Sequence, residues 1–386
     1  MTHQIEQVDR PAVLKYFREF MFSVEPLYDK GAGRFARFRS VVDGRVAYDS
    51  GGFAFLLGKI KSPPDPKRTA QIYRILGYTE KDILIQLDLP PQYYMSREER
   101  LKLIEKSAEY YWVMRSELGE NLLGVVHGWT LEELKYSLSL LEDPDRVAHG
   151  CNFTTMKVYV HDYIQKKRVA LGSYNVKSVL AERVATPSCT AEMVVCRKRV
   201  PRRVVFERLV LSMNLLREKE VFVLGGSGPN SAHLLFFLGG KYIDGASWRL
   251  AAKLWRIYVP HLGEFSVGRK KIAKRLDGTA VATMKEYYRD FPCSLSFDEF
   301  IKEISRSSGG FELRALWNAF VLKIEEKIAN EYSADPDRYY VYLRKRWDKS
   351  PYWKKILDFC YRRIVRPYIH YDLTIFFKEN MKSEVR

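Results

Sequence analysis

Cysteine is scarce in this chain: its 386 residues hold five, Cys151, Cys189, Cys196, Cys293 and Cys360. The number is odd and no two stand as Cys-x-x-Cys, which argues against a disulfide framework and against a zinc site built from cysteine alone. Long apolar runs are also lacking. Stretches such as Leu234-Leu235-Phe236-Phe237-Leu238 are far too short to cross a bilayer, so no membrane partner is expected. The opening residues, Met1-Thr2-His3-Gln4-Ile5-Glu6, lack the basic-then-apolar order of a secretory leader, and the expected location is cytoplasmic. The segment Gly225-Gly226-Ser227-Gly228 has neither the spacing of a dinucleotide loop nor the lysine of a P-loop, so it reads as a turn. Low-complexity linkers and internal repeats are absent.

Negative charge is the other shortage. Sixty-four Lys and Arg stand against 47 Asp and Glu, a net charge of +17, which favours polyanionic partners through phosphate neutralisation. The basic residues cluster. One group includes Arg197, Lys198, Arg199, Arg202, Arg203 and Arg208, a second is Arg269, Lys270, Lys271, Lys274 and Arg275, and a third is Arg344-Lys345-Arg346. Of these, Arg197, Lys198, Arg199, Arg202, Arg203, Lys270, Lys271, Arg344, Lys345 and Arg346 are the candidate nucleic-acid contacts. A hydrophobic share of 46% and an aromatic share of 14% place the chain among folded proteins.

Short β-type runs alternate with longer helical patterns, the signature of a parallel α/β sheet or barrel. Strand cores are expected near 45–49, 82–88, 122–127, 168–172, 221–225 and 241–244, with helices at Ser96–Leu118, Thr130–Leu141 and Val204–Lys219. Each expected strand runs into a polar group or glycine: Asp49, Asp88, His127-Gly128, Gly172-Ser173, Gly225-Gly226 and Asp244-Gly245. In a (β/α)8 TIM barrel such strand ends share one face, where active sites lie. The fold expected is therefore α/β, a barrel with insertions over 1–330 followed by a basic, aromatic-rich helical extension over 331–386. That extension carries 13 Lys/Arg, 8 Asp/Glu and 13 aromatics. It suits either base stacking along a nucleic acid or packing on the barrel.

Any one of these aspartates alone suits a turn or a helix cap. Asp49, Asp88 and Asp244 at successive strand ends suggest instead a carboxylate nucleophile with carboxylates that read or protonate a base.

Here the chain resembles the tRNA-guanine transglycosylases, over roughly residues 45–325. Asp49-Ser50-Gly51-Gly52-Phe53 is similar to the family's Asp-Ser-Gly-Gly-Phe motif, Asp88 to its second base-reading aspartate, and Val125-Val126-His127-Gly128 to its Val-Gln-Gly with His127 in place of Gln. Leu171-Gly172-Ser173 resembles a loop whose backbone touches the base, and Ile243-Asp244-Gly245-Ala246-Ser247-Trp248 the segment bearing the nucleophile. The resemblance implies a pentosyltransferase in which Asp244 attacks C1′, with Asp49 catalytic beside it. Ser50, Gly51, Gly52, Phe53, Asp88, His127, Gly128, Gly172, Ser173 and Gly225 would then bind the base. No redox or nucleotide cofactor is implied, and no metal. The family's zinc ligands are reduced to Cys293, with Leu295 and Asp298 at two other cysteine positions and Trp317-Asn318 where the family has His-Asn.

That pattern is most similar to the DpdA-type DNA 7-deazaguanine transglycosylases, which insert 7-cyano-7-deazaguanine in place of guanine. The resemblance makes DNA and a 7-deazaguanine base the expected partners, with accessory proteins of a DNA-modification system and a homodimer as further candidates. A tRNA-acting enzyme and a non-catalytic nucleic-acid-binding subunit are the alternatives.

Overall fold

The computed structural model describes residues 17–25, 27–30, 39, 42, 44–52, 65–93, 95–150, 155–160, 179–186, 189–200, 202–226, 228–268, 275–306 and 310–365. Phe53, Gly172, Ser173, Lys270 and Lys271, and the strand expected at 168–172, lie outside the described residues, as do the side chains of Arg197, Lys198, Arg199, Arg202 and Arg203. The chain is α/β and divides into two compact units. One comprises Phe20–Val41 and Arg45–Leu209, and the other Met1–Glu19, Val42–Gly44 and Val210–Arg386.

In the first unit, strands β1 (Glu19–Ser23), β2 (Arg45–Asp49), β3 (Ile83–Ile85), β4 (Leu122–Val126) and β5 (Arg146–Gly150) lie side by side in chain order. β2 to β5 are mutually parallel. β3 and β4 are buried along their whole length, as parallel strands covered on both faces must be. Helices α1 (Pro66–Leu76), α2 (Arg97–Leu118) and α3 (Leu131–Leu140) make the crossovers, and their starts follow from capping chemistry. Asp65 accepts from Lys67 N ahead of Pro66, Ser96 and Glu99 form a reciprocal capping box, and the Thr130 hydroxyl accepts from Glu133 N.

β3 is shorter than the run expected at 82–88, and the reason is a side chain. Beyond Ile85, Gln86 N still donates to Leu123 O at 3.1 Å, but the Gln86 side chain takes the next amide, Val125 N, at 2.8 Å. Leu87 N then turns to Met114 Sδ at 3.1 Å and Leu89 N to Ser107 Oγ at 2.9 Å. Side chains replace the ladder, and the strand ends.

A feature not expected from the sequence follows β5. Strands β6 (Thr155–Val160), β7 (Val179–Thr186) and β8 (Cys189–Arg199) form a separate antiparallel sheet in the order β6-β8-β7. Helix α4 (Arg202–Leu215) comes next, two residues earlier than the helix expected at 204–219.

The second unit contains the parallel pair β9 (Glu220–Leu224) and β10 (Tyr242–Ile243), with α5 (Pro229–Phe237) and α6 (Ser247–Lys253). An antiparallel hairpin, β11 (Arg256–Val259) and β12 (Gly263–Ser266), leads into α7 (Gly278–Tyr288), α8 (Phe297–Ile304) and α9 (Gly310–Tyr332). Its core is built around Trp317, whose Nε1 donates to Tyr258 O at 2.7 Å while its ring meets Phe291, Phe300 and Phe320. Asn318 completes the seam by accepting from Tyr258 N at 2.7 Å and donating to the carbonyls of Trp248 and Arg256. Cys293 is half-buried against this core.

α9 runs across the expected boundary between residues 330 and 331, and α10 (Pro336–Arg346) and α11 (Pro351–Val365) follow. Tyr339 and Trp347 are core residues, so these two of the extension's aromatics serve packing.

Candidate functional site

Asp49 is the last residue of β2, and the helix side of the sheet fixes where that strand stops. Tyr73 on α1 is fully buried, and its hydroxyl lies 3.1 Å from Tyr48 O and 2.7 Å from Ile85 O, tying the ends of β2 and β3 together. After Asp49 the chain turns through buried Ser50, whose carbonyl accepts from Tyr28 Oη at 2.8 Å, to Gly51 at φ +81°. That conformation favours glycine. Gly52 is required for a different reason. A methyl group placed there would lie 2.2 Å from Asp88 Oδ1 and 2.5 Å from Asp88 O, so the Asp88 carboxylate rests directly on the Gly52 backbone. The two halves of the sequence motif thus meet: the glycine turn after β2 is the floor on which the carboxylate after β3 sits.

The third member comes from the end of β4. His127 N donates to Ser137 Oγ at 3.0 Å, and its ring places Nε2 3.0 Å from Asp88 Oδ2, in an alignment too oblique for a hydrogen bond. Both residues are buried. Gly128 follows at φ +151°, where a side chain would strike Leu134 N at 2.6 Å.

The loop is then held by buried charge. Glu133 accepts from Trp129 N at 2.8 Å and forms a fork with Arg100, whose Nη2 approaches to 2.7 Å. Arg208, also buried, donates to Gly128 O at 2.5 Å and Gly150 O at 2.7 Å, and stacks over Trp129 at 4.8 Å. One guanidinium therefore clamps the ends of β4 and β5.

The electrostatics single out Asp49. Burial, then the neighbouring Asp88 charge, and further Glu25, push its carboxyl up from 3.8 to about 6, against hydrogen bonds from the Ser23 side chain and the Gly51 backbone. A carboxyl that titrates near neutrality can both give and take a proton at working pH. Asp88 and His127 beside it present acceptor and ring-nitrogen groups of the kind that read the edge of a polar heterocycle.

His149, on β5, was not picked out from the sequence. Its Nδ1 bonds Val126 O at 3.1 Å, and burial together with the charge of Arg208 pushes the ring well below the usual histidine range. It is neutral, with Nδ1–H as the donor, and Nε2 is a buried acceptor with no hydrogen-bond partner among the described residues. The signal was legible: Val147-Ala148-His149-Gly150 repeats the pattern of Val125-Val126-His127-Gly128.

In the second unit, Asp244 follows β10. Its backbone N donates to Val223 O at 3.1 Å, and its Oδ1 accepts a short hydrogen bond from Gly225 N. Gly225 and Gly226 have φ of +86° and +94°, which turns the backbone after β9 so that this amide faces the carboxylate.

The candidate nucleic-acid contacts separate. Arg344 and Lys345 are exposed, Arg344 lying over the Tyr340 ring at 5.8 Å. Arg346 is corrected from the expected set: its side chain is 2% exposed and forks onto Glu325, Nη2 to Oε1 at 2.8 Å and Nη1 to Oε2 at 2.9 Å. His233 reaches the same carboxylate at 2.8 Å and Tyr339 Oη at 2.6 Å, and His261 N donates to it at 3.0 Å. Burial alone would raise Glu325, but Arg346 and His233 outweigh it and hold the carboxyl down to about 2. This network ties α5, α9 and α10 together, and its Arg is structural.

No protein-family model matches this chain. No curated protein matches it either.

Proposed function

We propose that the protein is a nucleic-acid base-exchange enzyme that replaces guanine in DNA with a 7-deazaguanine, on a (β/α)8 barrel. The observation that carries this reading is the Asp88 carboxylate seated on Gly52, beside a second carboxyl, Asp49, whose proton affinity lies near pH 6. Two carboxyl groups with separated roles, with the His127 ring 3.0 Å from Asp88, suit recognition and protonation of a purine-like base. The +17 charge supports a phosphate-bearing substrate over a free nucleoside.

The reaction proceeds by double displacement. An Asp244 oxygen attacks C1′, the C1′–N9 bond breaks, and the departing guanine takes a proton from Asp49. The incoming 7-deazaguanine gives a proton to Asp49, its nitrogen attacks C1′, and the Asp244–C1′ bond breaks. One glycosidic bond replaces another, so no oxidant or nucleotide is consumed. The target base must first leave the stack, at a cost of about a few kcal/mol, offset by phosphate contacts.

The test supplies labelled guanine and labelled 7-cyano-7-deazaguanine with DNA and tRNA in separate reactions. Incorporation into DNA supports the reading. Incorporation into tRNA alone overturns the choice of polymer, and incorporation into neither overturns the activity.

A further inference from the structure

The Gly225 amide meets the Asp244 carboxylate only while the turn after β9 keeps its shape. Two consecutive glycines leave such a turn loose by themselves, since glycine adopts positive and negative φ about equally readily. A hydroxyl holds it. Ser231, in the first turn of α5, places its Oγ 2.5 Å from Gly226 O and 3.0 Å from Gly228 O, so its one proton spans two carbonyls of the loop. The hydrogen bond from Gly225 N to Oδ1 in turn fixes the plane of the Asp244 carboxylate. A nucleophile held in this way approaches along one line, and small misplacements of such a group are costly in rate.

α5 does not supply this rigidity alone. It has nine residues, Gly228 at its N-cap makes no side-chain hydrogen bond, and no acidic residue stands in its first turn. A helix that short is marginal without tertiary support. The support comes from the helical extension. Trp347, directly after α10 and buried, donates from Nε1 to Asn230 Oδ1 at 2.9 Å, and its ring stacks on Trp353 of α11 at 5.3 Å. Tyr339 Oη lies 2.6 Å from His233 Nδ1, and its ring meets Phe237 edge-on at 5.6 Å. The extension therefore grips α5 from Asn230 to Phe237, and Asn230 is the chain neighbour of Ser231.

We infer that Ser231 is a positioning residue for the Asp244 carboxylate, and that Trp347 of the extension acts on the same carboxylate through Asn230 and Ser231. The inference rests on the proposed role of Asp244 as nucleophile, and it gives the extension a part in the chemical step besides packing. The test is steady-state incorporation of labelled 7-cyano-7-deazaguanine into DNA by the unaltered chain, Ser231→Ala, Trp347→Phe and the double variant. Phenylalanine keeps an aromatic ring and removes only the Nε1–H donor. Ser231→Ala should lower kcat about tenfold or more and leave KM for the base unchanged, because Asp88 and His127 are untouched. Trp347→Phe should lower kcat by a smaller factor. The double variant should be no slower than Ser231→Ala, since the two residues act in series.

Circular dichroism reports folding, and Asn230→Ala, which removes the same hydrogen bond from its other end, replaces Trp347→Phe if that variant does not fold. In an active protein, a parental kcat in Ser231→Ala, or a change in KM with kcat unaltered, overturns the positioning role and leaves the function standing. Losses that multiply in the double variant overturn the path from Trp347 through Ser231. Absence of base exchange by the unaltered chain overturns both the function and the inference.

Discussion

Asp49→Asn should stabilise the protein at neutral pH while removing the proposed proton transfer. A carboxyl raised from 3.8 to about 6 carries its charge in the folded state at a cost of about 3 kcal/mol. The sign follows from linkage. The folded pKa lies above the unfolded one, so the folded state binds the proton more tightly. The penalty is absent below about pH 4, grows as pH rises, and is complete above about pH 6. Asparagine keeps the shape and removes the charge, but the Ser23 and Gly51 donors lose an ionised acceptor, at about 1 kcal/mol.

The balance is a gain of about 1–2 kcal/mol at pH 8, shrinking to nothing or changing sign at pH 4. Urea midpoints of both proteins at pH 4, 6 and 8 measure it. A variant less stable than the parent at pH 8, or a difference constant with pH, refutes the claim that Asp49 is held with a raised proton affinity.

Gly52→Ala forces a methyl group to 2.2 Å from Asp88 Oδ1, so it should cost about 1–3 kcal/mol and abolish base binding by calorimetry. Gly77→Ala, at a helix end with open space around it, should lower stability alone. Arg346→Ala leaves Glu325 buried without its fork and should cost about 3–5 kcal/mol in denaturant titration. Arg344→Ala, on the exposed side of the same helix, should cost less than about 1 kcal/mol.

Local chemistry was readable where it is carried by neighbouring residues. The helices expected from Ser96 and Thr130 announced themselves by long amphipathic patterns, and β2 and β4 by short apolar runs ending in a polar group. β5 was missed because Arg146-Val147-Ala148-His149-Gly150 is brief and follows close on α3, so a later run was read as the next strand. The antiparallel sheet was hidden by its position. β6 pairs with β8 and not with its chain neighbour β7, and basic residues dominated the reading of β8. Arg346 shows the same limit: a run of Arg and Lys on a helix reads as a charged face, and only its partner Glu325, 21 positions away, reveals that one of the three points inward. The contact of Asp88 with Gly52 depends on the turn after β2 meeting the chain after β3, which no local pattern encodes.

The most direct measurement of the central claim is incorporation of labelled 7-cyano-7-deazaguanine into duplex DNA by the unaltered chain and by Asp244→Asn, with both confirmed folded. The account predicts label in DNA with the unaltered chain and none with the variant, whose amide cannot serve as the nucleophile. Equal incorporation by the two proteins, or none by either, contradicts it.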